Sequence, residues 1–129
     1  MMYKQALVAG GLLAAIAVLL GAMGAHSLKK VLDPQMLAVF ETGVRYHFYH
    51  SVGLLLAGII YMQYPVKQLR LATTFFITGI LLFSGSLYAI ALLSISGISI
   101  GPAGILTPVG GVFFILGWLW MVIGITRGK

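Results

Sequence analysis

Three histidines are the side chains of this sequence with the widest chemical range. His26 ends the first apolar span and His50 begins the second, so the two imidazoles would lie within reach of each other or of one ligand if those helices are neighbours. Two neutral imidazoles can act as axial ligands of haem. A metal ion needs three or four ligands, and His47 and Glu41 would add the remaining ones. However, the spacing matches no standard metal motif. Haem or metal ligation by His26 and His50 is therefore one hypothesis, and a purely structural role is the other; the sequence names no cofactor.

The segment from Glu41 to His50 concentrates polar and aromatic residues, with the sequence ETGVRYHFYH. Glu41 and Arg45 lie four residues apart, a spacing that predicts an ion pair on a helix surface. Tyr46 and His50 share a helix face for the same reason, whereas His47 is turned away from them. Tyr46 is interpreted either as an anchor at the membrane interface or as a ligand contact.

Four hydroxyl groups further along the chain are also candidates for ligand binding. They belong to Ser84, Ser86, Tyr88 and Thr107. In a membrane, serine and threonine hydroxyls commonly bond within their own helix or to a neighbouring helix. No acid and base are spaced around either serine as nucleophilic catalysis requires, so we predict no catalytic residue.

The composition sets the class of protein that must position these groups. The chain has 129 residues, of which 60% are hydrophobic and 8% charged, and a mean hydropathy of +1.07. A soluble domain carries about a quarter charged residues, so a water-soluble globular protein is excluded. The absence of cysteine excludes disulfides and thiol chemistry. The eight Lys and Arg residues are scattered and form no continuous basic face, so nucleic acid is excluded as a partner.

The apolar residues predict an all-α, polytopic membrane protein with one domain over residues 1–129. Four apolar stretches are each long enough to cross a hydrocarbon core about 30 Å thick. They cover residues 5–23, 46–62, 71–95 and 108–126. Asp33 and Pro34 read as the N-cap and first residue of a helix. The amphipathic residues 35–49 then predict a short interfacial helix after the first span, merging into the second.

The distribution of positive charge predicts the orientation in the membrane. With four spans, five basic residues share the side of the termini and three lie on the opposite side, so both termini are expected in the cytoplasm. The five are Lys4, Lys67, Arg70, Arg127 and Lys129, and the three are Lys29, Lys30 and Arg45. The polar segment from His26 to His50 is then expected at the outer membrane face.

Five motifs in order resemble a known family. They are GAMGAH (residues 21–26), the ETG segment ending in Tyr49 and His50, LFSGSLY (82–88), TPVGG (107–111) and GW (117–118). Together they resemble the YgdD/YwdK-like family of small four-helix membrane proteins, a domain of unknown function numbered 423. The resemblance implies the bacterial inner membrane and supplies no activity, substrate or cofactor.

Three functional hypotheses follow. The leading one is a non-enzymatic membrane module that binds a lipid, a quinone-like molecule or a partner protein at its outer face. The second is a haem or metal protein that uses His26 and His50. The third is a small-solute or proton transporter, which is disfavoured because the span cores carry no acidic residue. The partners expected are the lipid bilayer and either a second copy of the chain or another membrane protein.

Overall fold

A computed structural model describes residues 2–128. Within this part of the chain the regular elements are all helices, and most of them are α-helices. Its five α-helices are α1 (Met2–Ala25), α2 (Pro34–Gln63), α3 (Lys67–Gly79), α4 (Gly85–Ser94) and α5 (Leu106–Arg127). A π-helical turn, Ile80–Ser84, joins α3 to α4 without a break. Short 3-10 turns at Leu28–Lys30 and Gly101–Ile105 precede α2 and α5. The chain therefore forms four long rods, of which the third contains α3, the π turn and α4.

The start of α2 confirms the capping prediction. The Asp33 carboxylate accepts a hydrogen bond from the Met36 N–H at 2.8 Å, and Pro34 is the first helical residue. From there α2 continues unbroken to Gln63, so the predicted interfacial helix and second span are parts of one helix. The physical reason is that no proline interrupts the sequence between Pro34 and Pro65.

Three of the four rods are long and apolar enough to cross a membrane within the described residues. They are Tyr3–Lys30, Lys67–Ser94 and Gly101–Arg127. The remaining rod, α2, has lower hydropathy because its first half carries charged, histidine and tyrosine side chains. It is also the central rod, since it contacts α1, α3, α4 and, slightly, α5. Four spans were predicted, and length and apolarity alone support three.

Glycines bring the third rod close to α5. A Cβ on Gly79 would lie 2.4 Å from the Phe114 ring, and a Cβ on Gly117 would lie 2.6 Å from the Phe76 ring. Each phenylalanine therefore fills the space above a glycine of the opposite helix. This is the small-residue packing that lets membrane helices approach closely.

The same packing leaves α2 and α5 apart. Both helices pack on the third rod, but their backbones seldom come close to each other, and aromatic side chains bridge part of the space between them. The gap between them lies over the π turn, and it is where the candidate site is found.

Candidate ligand-binding groove

An aromatic groove runs between α2 and α5, with a volume of about 680 Å³. Its aromatic lining is formed by Tyr46, Tyr49, Phe83, Phe114 and Trp118, together with His50, and no charged residue lines it. Its rim includes Ile115, which is 61% exposed. The groove therefore opens sideways from the bundle rather than along its axis.

His50 forms a fixed part of the groove wall. Its side chain is 4% exposed, and its ring lies parallel to that of Phe114, with 3.5 Å between the centroids. Trp118 Nε1 donates a hydrogen bond to His50 Nε2 at 3.1 Å, and His50 Nδ1 lies 2.6 Å from the Tyr46 carbonyl oxygen. Because an indole N–H can only donate, Nε2 must accept and Nδ1 carries the proton. Both ring nitrogens are thus occupied by protein partners.

The structure does not bring His26 and His50 together. His26 is exposed just beyond α1, whereas Gly24 near the same end packs on Phe40 of α2. His50 lies ten residues beyond Phe40, which is about 15 Å along a helix axis. The prediction had placed His50 at the start of a span, but the unbroken α2 places it near mid-helix. Within residues 2–128, no three His, Asp or Glu side chains are grouped closely enough to hold a metal ion.

Glu41 and Arg45 are both exposed and do not form the predicted ion pair in the described chain. Arg45 instead donates a hydrogen bond to the Thr42 hydroxyl at 3.2 Å. The Thr42 hydroxyl in turn donates to the Ala38 carbonyl at 2.9 Å. Thr42 is three residues before Arg45 and therefore competes with Glu41 for the guanidinium. Neither charged residue lines the aromatic groove.

The four hydroxyl candidates connect helices outside the groove. Ser84 donates to the Gly43 carbonyl of α2 at 2.7 Å. The Ser86 and Thr107 hydroxyls lie 2.6 Å apart and join α4 to α5. The Tyr88 hydroxyl lies 2.9 Å from His47 Nδ1 and joins α4 to α2. Of the residues predicted to form the site, the structure therefore assembles Tyr46 and His50 in the groove.

Several residues of this region were missed by the sequence analysis. Trp118 and Phe114 are four residues apart on α5 and so share a face, which is a signal that the spacing could have given. Phe83 could not have been assigned, because its position depends on the π turn. His47, which appeared to point away from the site, is 3% exposed, and its Nε2 has no hydrogen-bond partner within the described residues.

Comparison with known proteins gives the family. A family model described as "Protein of unknown function (DUF423)" matches residues 20–111. The chain belongs to the DUF423 family. This confirms the resemblance inferred from the five motifs, and the matched range includes every candidate residue from His26 to Thr107.

Relatives of this DUF423 protein align over nearly its whole length. A UPF0382 membrane protein of Staphylococcus saprophyticus is 43% identical over 121 residues, covering 94% of this chain and 96% of the relative. The UPF0382 membrane protein YwdK of Bacillus subtilis is 38% identical, covering 96% and 98%. The UPF0382 inner membrane protein YgdD of Escherichia coli is 35% identical, covering 88% and 83%. No solved structure matches the chain at a significant level. Together with its long apolar helices, these relatives identify the chain as an integral, multi-pass membrane protein.

Proposed function

We propose that this DUF423 protein is a non-enzymatic membrane module that binds an uncharged, lipid-soluble molecule in the aromatic groove between α2 and α5. The observation that carries the proposal is the groove itself, about 680 Å³ in volume and walled by aromatic rings. An apolar cavity with few polar groups is the usual form of a small-molecule site.

The chemistry of the lining defines the class of ligand. A charged headgroup would find no counter-charge there, because no acidic or basic side chain lines the groove. Ring faces and edges favour flat or chain-like apolar groups, which gain stacking and dispersion contacts. The tyrosines Tyr46 and Tyr49 add hydroxyl groups able to bond a carbonyl oxygen. A quinone-like ring or an uncharged lipid chain fits this description.

The proposed membrane placement gives such a molecule a route into the groove. We infer four crossings, with α2 as the central one, because its 30 residues reach about 45 Å and it packs against the other three rods. We infer cytoplasmic termini from the positive charges, and a bacterial inner membrane from the name of the Escherichia coli relative. The groove then extends from Pro108, near the outer end of α5, to Trp118, about 15 Å deeper. A ligand enters sideways from the outer half of the bilayer.

Trp118 provides a reporter for binding. The chain has two tryptophans, so the Trp120→Phe variant leaves Trp118 as the only tryptophan, which is excited selectively at wavelengths where tyrosine does not absorb. In nanodiscs we expect saturable quenching of Trp118 by a quinone added as a minor membrane component. A minor fraction of brominated phosphatidylcholine forms the second arm, and saturation in that arm instead assigns the groove to a lipid chain.

A matched pair of glycine variants separates binding from random collision. Gly111 lines the groove, so the side chain of Gly111→Leu would occupy part of its volume. The added Cβ would lie 3.8 Å from the Phe83 ring, an ordinary van der Waals contact. Gly11→Leu places the same side chain on α1, where nothing in the described part of the chain lies within 4 Å of the added Cβ. We expect Gly111→Leu to remove the saturable component and Gly11→Leu to retain it. Quenching that rises linearly in both arms for the parent would contradict the proposal.

A further inference from the structure

A second groove lies between α1 and α3. Two adjoining cavities, of about 310 and 460 Å³, share Arg70 and Thr74 in their linings. The smaller cavity lies between the helices and includes Gln5 of α1 in its lining, whereas the larger one lies along α3 alone, beginning at Lys67. This α1–α3 groove begins at the first turn of α3, close to the start of α1, and is separate from the aromatic groove.

No acidic side chain offsets the positive charge at this end of the bundle. The chain has two acidic residues, Asp33 and Glu41, and both lie in the first part of α2 at the opposite end. Lys4, Lys67, Arg70 and Arg127 all lie near the helix ends on the groove's side. Their positive charges therefore have no carboxylate side chain to pair with, and an anion from outside the protein is the available partner.

The lining changes from polar to apolar along the groove. The hydroxyls of Thr73 and Thr74 both donate to the Arg70 carbonyl, at 2.7 and 3.2 Å, so both hydroxyl oxygens lie within one helical turn of Arg70. Further from the end, the wall consists of apolar side chains, including Ala9 and Ile77. A ligand that matches this order has a negative headgroup followed by a hydrocarbon chain.

We propose that the α1–α3 groove binds the headgroup of an anionic phospholipid, with Arg70 on its phosphate and an acyl chain along Ala9 and Ile77. Basic pockets between membrane helices recognise anionic headgroups in this way. The positive-inside rule accounts for basic residues at this end of the bundle. That rule does not account for a cavity in which an arginine is followed by an apolar wall. A free phosphate ion would bind the arginine but would make no contact with the apolar wall.

The test compares two lipids on the intact protein. Phosphatidylglycerol and phosphatidylcholine with identical chains are added at equal concentration to the purified protein in detergent, and native mass spectrometry counts the lipids retained. We expect the parent to prefer phosphatidylglycerol, and Arg70→Gln to lower that preference about fivefold, the effect of one basic residue. Arg127→Gln removes the same charge at the same end outside the groove and should change the preference less than twofold.

Thr74→Val gives an independent reading if Arg70→Gln fails to fold. It removes a hydroxyl that can turn from the Arg70 carbonyl, 3.2 Å away, to donate to a phosphate oxygen, while retaining size and charge, and we expect about a twofold loss of preference. Equal losses for Arg70→Gln and Arg127→Gln, or no preference in the parent, would overturn the proposal. So would an unchanged preference in Thr74→Val when Arg70→Gln cannot be prepared.

Discussion

At the residue scale, His47 and Tyr88 are dependent on each other. His47 is almost fully enclosed, its Nδ1 lies 2.9 Å from the Tyr88 hydroxyl, and its Nε2 is unpartnered in the described chain. Tyr88→Phe would remove the side-chain partner of this buried imidazole. We expect a loss of about 1–3 kcal/mol in the free energy of unfolding, the cost of stranding a buried polar group. Denaturation in mixed detergent micelles measures it.

A double variant distinguishes this dependence from ordinary loss of packing. His47→Leu combined with Tyr88→Phe removes both partners, and replacing both by apolar groups is close to neutral. The double variant should therefore lose less stability than the sum of its single variants. Tyr49→Phe, at an exposed tyrosine, is the control and should lose little. Strictly additive losses would show that the two side chains are not coupled.

At the element scale, two adjacent glycines on α5 have opposite roles. A Cβ on Gly110 would lie 2.4 Å from the backbone nitrogen of Phe83, whereas one on Gly111 would lie 3.8 Å from the Phe83 ring. Because backbone cannot swing aside, Gly110→Ala must push α5 away from the π turn, at a cost of about 1–3 kcal/mol. Gly111→Ala should be neutral or slightly stabilising, because alanine favours helix.

The unfolding free energies of these two variants, measured side by side, test the close approach. A displaced α5 would also break the neighbouring Ser86–Thr107 hydrogen bond and expose Thr107. The solvent accessibility of Thr107 is therefore a second measurement. If Gly110→Ala and Gly111→Ala unfold alike, α5 does not approach the π turn this closely.

The sequence could predict the helices better than the gap between them. Apolar length and the Asp33 cap depend on local residues, so the all-α fold and the start of α2 follow directly. Tyr46 and His50 were selected because they share a helix face, and both line the groove. Its other wall depends on how α5 packs and on the π turn that positions Phe83, and neither follows from local spacing. The hydroxyl candidates were recognised as polar, but their bonding partners lie on other helices.

At the scale of the whole molecule, the proposed topology is open to a direct test. The chain lacks cysteine, so single cysteines can be introduced without background. We expect Ser27→Cys and Ser99→Cys to react with an impermeant thiol reagent from outside a bacterial cell, and Gln63→Cys to react only after lysis. All three positions are exposed in loops or at a helix end. The reversed pattern would invert the orientation, and labelling of all three from one side would contradict four crossings.

The π turn also makes one continuous rod serve two neighbours. A π turn contains one residue more than an α-helical turn, which shifts the residues after it by about 100° around the axis. Before the turn α3 packs mainly on α5, whereas after it α4 packs mainly on α2. Phe76, before the turn, consequently packs on Gly117 of α5 as well as on Gly53 of α2, whereas Tyr88, after it, packs on His47 and Phe40 of α2. Deleting one residue between 80 and 84 would convert the π turn to an ordinary α-helical turn and rotate the residues after it by about 100° around the helix axis. Tyr88 would then turn away from His47, while Phe76 would stay in place.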